Sequence, residues 1–193
     1  MRNVLMVTAA ALALTACGPK AADNSNLAAD TTGMNDSMTV AANDSVDNGA
    51  MMASASTPDF VKNAAMGDMY EIASSKLAAT MATSAGLKKF AAEMITAHTA
   101  TTAGLKAAIA KDGVKDMPPA MLDAEHQGMI DGLKGAKGET FDTLYKSQQT
   151  EAHTKALALM HGYATGGDQA ALKGFASDTA PKVQTHLDML NKM

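Results

Sequence analysis

Residues 86–113, GLKKFAAEMITAHTATTAGLKAAIAKDG, carry the pattern on which the fold turns. Leu87, Phe90, Ala91, Met94, His98, Leu105 and Ile109 recur at the spacing that gathers side chains onto one stripe of an α-helix. Lys111-Asp112-Gly113 ends the pattern with a basic last turn and a glycine stop. A helix with one apolar stripe must bury it against another element, so the flanking sequence decides the architecture.

On the N-terminal side, Thr57 is expected to cap a helix with Pro58 at its first position, running to about Ser84. Downstream, Pro118-Pro119 is expected to open a short helix carrying Leu122, His126, Met129, Ile130 and Leu133. A third long helix is predicted from Glu139 to Thr165, with Phe141, Tyr145, Gln148, Ala152, Ala156, Leu159 and Tyr163 turned inward, and Gly166-Gly167 breaks it. Asp168 is then expected to cap a last helix bearing Leu172, Phe175, Val183, His186, Leu187 and Leu190, with a kink or restart at Pro181. β-Branched residues are scattered and alternation is absent, so no stretch reads as strand. Four long helices and one short one across residues 58–193 predict an all-α fold: an antiparallel four-helix bundle with one extra short helix. Abundant alanine permits close helix approach, and sixteen methionines supply adaptable core volume where aromatics are scarce.

Residues 1–17, MRNVLMVTAAALALTAC, have a different character. One positive charge at Arg2, an apolar run from Val4 to Leu14 and small residues before Cys17 form the layout of a secretory signal. The run is shorter than the roughly 20 residues of a membrane span. Leu14-Thr15-Ala16-Cys17 resembles the lipobox of bacterial lipoproteins, which implies acylation of Cys17, the one cysteine in the chain. With Gly18 after it, the same resemblance implies lipid anchoring to the periplasmic face of the outer membrane. Residues 18–57 hold almost no large apolar side chains and set Lys20 against Asp23, Asp30, Asp36, Asp44 and Asp47, the composition of a disordered acidic tether. The acidity of the chain, net −4, lies mainly in that tether.

Composition excludes several function classes. One cysteine leaves no disulfide framework and no thiolate-rich zinc or iron–sulfur site. The single arginine, Arg2, argues against dedicated nucleic-acid recognition, which leans on guanidinium forks. No Gly-x-Ser-x-Gly elbow, phosphate-cradling loop or His-Glu-x-x-His is present, so an enzyme is not expected.

Certain segments resemble a known family. They are Phe60-Val61-Lys62-Asn63-Ala64-Ala65 with Met69-Tyr70-Glu71-Ile72, Phe90-Ala91 with His98, Asp123-Ala124-Glu125-His126-Gln127, Phe141-Asp142-Thr143-Leu144-Tyr145, Ala152-His153-Thr154-Lys155-Ala156-Leu157, and Pro181 with His186-Leu187. In order and spacing they are similar to the domain of unknown function 4142 family across residues 59–191. The resemblance implies a ferritin-like bundle behind a bacterial export signal, and no activity. Where that family often has aspartate before the second-helix histidine, this chain has Ala97, so no carboxylate partner is expected beside His98.

The chemistry-bearing side chains lie along the predicted stripes. His98 falls within about 20° of Leu87 and Leu105 on a helical wheel, His186 aligns with Leu172 and Leu190, and His153 sits at its stripe edge. Glu71 shares a meridian with Phe60, Ala64 and Ala78. One reading makes Glu71, His98, His153 and His186 buried polar pairs that fix helix register. The other makes them a transition-metal site contributed by all four long helices, with copper or zinc as the ion. His126, Asp142 and Tyr145 are expected as structural polar groups of the core, the last two close enough on one face to pair with a histidine. A di-iron centre is not expected, because Ile95, Thr150 and Val183 stand where Glu-x-x-His would need glutamate. Two functions remain open at this point: a non-enzymatic envelope or stress-related protein presenting a surface to an envelope partner, or a periplasmic metal-binding or buffering protein.

Overall fold

A computed structural model describes residues 55–193; the expected signal, Cys17 and residues 18–54 of the expected tether lie outside the described residues. The described residues form five helices and no strand: α1 (Thr57–Met81), α2 (Ala85–Asp112), α3 (Ala124–Gly135), α4 (Gly138–Gly166) and α5 (Ala170–Lys192). Three-residue connections fold α1 against α2 and α4 against α5 as two antiparallel hairpins. The hairpins pack so that α1 also meets α4 and α2 meets α5. Because α2 and α4 run in the same direction, the chain between them must return along the whole bundle, and α3 lies within that return. One long crossover is the connectivity of ferritin-like bundles. No helix among the described residues is long and apolar enough to cross a membrane.

Helix ends follow the side chains that can satisfy free backbone groups. Ser56, rather than Thr57, caps α1 by accepting from Asp59 N; Thr57 is already helical, and its buried hydroxyl bonds to the Tyr163 hydroxyl and to Asp168. Ser84 caps α2, which ends at Gly113 in the left-handed region at φ 66°, where glycine carries no Cβ penalty. The short helix does not open at Pro118-Pro119. It begins at Ala124, where Asp123 accepts from His126 N at 2.9 Å, and the prolines sit in non-helical chain before it. Asp168 does not cap α5 either. Asp112, at the end of α2, accepts from Ala171 N and Leu172 N at 2.9 Å each, so one helix terminus closes another. The helix does not restart at Pro181: α5 continues through the proline, which is exposed, so water can take the carbonyl it leaves unbonded.

Two apolar clusters fill the bundle, one toward each end. Phe60, Val61, Leu105, Ile109, Tyr163 and Leu172 form the first, with Phe60 and Tyr163 stacked at 3.9 Å between ring centroids. Tyr70, Leu87, Phe90, Phe141, Tyr145 and Leu190 belong to the second. Gly167 is needed beside the first cluster, since a Cβ there would come within 2.6 Å of Tyr163 ring and carbonyl atoms. The polar interior lies between the clusters.

Candidate metal centre

The apolar stripes that bury each helix carry polar residues near mid-length, and packing four such stripes together brings the clustered histidines to one level. His98 from α2, His153 from α4 and His186 from α5 are all buried, and one nitrogen from each lies within 4.8 Å of the others. Their rings approach edge to face or tilted, with centroids 5.4 to 5.9 Å apart.

Hydrogen bonds fix which nitrogen each ring turns to the centre. His98 Nδ1 meets Asp68 Oδ1 at 2.8 Å, so its proton sits there, while Nε2 is buried without a partner among the described residues. His153 donates from Nδ1 to the Gln149 carbonyl at 2.9 Å, which leaves a lone pair on Nε2. His186 Nδ1 donates to that Nε2 at 3.3 Å, through a proton that an ion would displace. A zinc–nitrogen bond of about 2.0–2.1 Å gives a tetrahedral edge of about 3.3 Å, so this pair already has a shared-ion spacing. Bringing His98 to the same spacing needs movement on the order of 1 Å.

Burial sets the charges. It pulls the His153 imidazole down to about 3 and His186 down to about 4, in both cases with His98 nearby adding to the effect. Both rings are therefore neutral and able to act as ligands at ordinary pH. For His98 burial opposes protonation, but the bond it donates to Asp68 and the charges of Glu71 and Asp68 outweigh it and hold the group above its ordinary value. Burial pushes the Glu71 carboxyl up to about 7, against the pull of His98 and a hydrogen bond from Gln149. Glu71 Oε1 is 3.4 Å from His153 Nδ1, yet a ring held neutral there makes this contact something other than a pair of full charges.

The four residues expected to share the interior are thus adjacent, but they divide. Three imidazoles form the donor group, and Glu71 stands beside it, with Oε2 unpartnered among the described residues. A cavity of about 60 Å³ lies among Asp68, Glu71, His98, His153 and Met160. The expectation that His98 lacks a carboxylate is corrected: Asp68 of α1 supplies it across the helix interface, and is itself held by the Thr101 and Thr102 hydroxyls at 2.8 and 3.0 Å. Ala97 therefore costs the site nothing. Asp68 was within reach of the stripe argument, since it follows Ala64 by four residues and precedes Glu71 by three.

The other polar residues lie elsewhere. Asp142 is half-buried at one end of the bundle, accepting from Thr83 N and Ser84 N at 2.9 Å, and holds the α1–α2 turn rather than a histidine. Tyr145 is buried, as expected, with its hydroxyl 2.8 Å from Ser75 Oγ. His126 is only half-buried; it pairs with Asp123 at 2.7 Å and its ring lies beside Tyr70.

A carboxylate that orients an imidazole, with two further imidazoles facing its unpartnered nitrogen, is an arrangement that could hold a metal ion. In comparison with known proteins, a family model described as "Domain of unknown function (DUF4142)" matches residues 41–193. No curated protein and no solved structure matches the chain.

Proposed function

The chain belongs to the domain of unknown function 4142 family, and from its buried core we propose that it binds and buffers a transition metal, zinc or copper. The observation that carries this reading is the buried, unpartnered Nε2 of His98 facing two imidazoles within 4.8 Å. A bundle whose interior needed only paired polar groups would satisfy that nitrogen. Neutral imidazole suits both ions. His98, His153 and His186 hold the ion, Asp68 orients His98, and Glu71 offers a nearby negative charge for its excess positive one. The role is non-enzymatic. The export signal, the acylation at Cys17 and the tether of about forty residues expected from the sequence support a setting on the periplasmic face of the outer membrane, where the bundle would meet envelope metal.

Between the two functions the sequence left open, the triad favours the metal over a surface for an envelope partner. Titration of the purified protein with zinc and with copper(I), each against a competing chelator, tests it. One ion per chain is expected, lost on His98→Ala and on His153→Ala. No stoichiometric binding at micromolar metal would end the proposal.

A further inference from the structure

Two grooves flank the interior, and they differ in what they reach. One, of about 620 Å³ between α1, α3 and α4, is lined by Asp123, Glu125 and Glu151 against Lys155, and touches none of the three clustered histidines. The other, of about 720 Å³ between α2 and α5, has His98 and His186 in its lining. Its charged residues are Lys111 and Lys182 against Asp178, an excess of one positive charge, and its walls include Ala97 and the Phe175 ring. Two of the three donors thus border a cavity open to solvent, while Glu71 lines only the small inner cavity.

Three nitrogen donors leave one position of a tetrahedral ion for a ligand from outside the protein. We propose that the α2–α5 groove is the vestibule of the triad and admits a small apolar carboxylate, whose oxygen completes the coordination of the ion. This rests on the metal reading above. The single excess positive charge matches a singly charged head group, and the alanine and phenylalanine walls match an apolar body.

Cobalt(II) reports a change of ligand through its visible bands, and benzoate is a suitable probe. The full chain loaded with cobalt(II) is titrated with sodium benzoate. A saturable change in the bands is expected. Ala97→Leu, which fills the groove beside His98, should weaken benzoate about tenfold or more, and exposed Lys182→Glu about threefold or more. Ala158→Leu in the opposite groove should leave it unchanged. Circular dichroism checks that each variant folds, and Lys182→Glu decides the matter if Ala97→Leu does not. If cobalt binds but benzoate changes nothing, or acts equally on the Ala97 and Lys182 variants, the vestibule is overturned and the metal reading stands. If cobalt does not bind, both fall.

Discussion

At the scale of single residues the centre is a set of unequal partners. Asp68 is buried and holds His98 through Nδ1, with two threonine hydroxyls fixing the carboxylate in turn. Replacing such an orienting carboxylate costs about 10–100-fold in metal affinity, so Asp68→Asn should weaken zinc by that factor in chelator competition. The same change should lower the His98 pKa, followed by NMR titration, because the bond that raises it loses its charge. Glu71 works in the opposite direction on stability. Its carboxyl is raised to about 7, above the 4.5 of an unfolded chain, so the folded state binds the extra proton between those values and loses stability as pH rises through that window. Glu71→Gln should therefore leave the metal-free Tm nearly unchanged at pH 4 and raise it at pH 8, by about 1–3 kcal/mol in stability. The variant should bind metal more weakly while folding more tightly, a separation that thermal melts with and without zinc would show.

At the scale of elements the sequence was clear about faces and less so about ends. The stripe through Leu87, Phe90, Met94, His98 and Leu105 is buried throughout, because a repeated spacing is a property of the helix itself. Ends depend on partners distant in sequence. Asp112 closes α5 from 59 residues away, and Asp142 holds the α1–α2 turn from a distance of 58 and 59, so neither role has a local signature. Pro118-Pro119 read as a helix start because proline favours a first turn, yet Asp123 supplied the cap that the prolines lack. Pro181 read as a break because it removes a hydrogen bond; packing of Ala180, Val183 and His186 on either side holds the helix through it. Pro181→Ala should restore that bond and raise stability by about 1–2 kcal/mol, seen as an increase in Tm with metal affinity unchanged.

At the scale of the whole molecule, the site is legible only in part from the chain. Four stripes predicted four inward residues, but not that three would form one group and the fourth stand beside it, since depth along each helix is set by crossover length and packing. Protonation is likewise collective. His153 and His186, depressed to about 3 and 4, remain neutral in the fold while the unfolded chain takes up protons below about 6.5. Their contribution is full above that value and is lost as pH falls toward 3. Glu71 opposes this between 4.5 and 7, so the Glu71→Gln protein should show it most plainly, its metal-free Tm dropping between pH 6.5 and 4. Zinc at about 100 times its pH 7 Kd should add about 2.7 kcal/mol at pH 7 and progressively less in acid at the same concentration, as a proton competes for His98.

The crossover makes the two hairpins halves of one object joined by a strap. Non-helical chain from Val114 to Asp123 exposes Lys115, Met117 and Met121. Tryptic scission after Lys115 should sever the strap without parting the fragments, since α3 and α4 still grip α1 and α5 still grips α2. His98 belongs to the first fragment and His153 and His186 to the second, so a bound ion would rivet them together. Gel filtration of the nicked protein under mild urea, with zinc and with chelator, would then read metal occupancy as cohesion between two separate polypeptides.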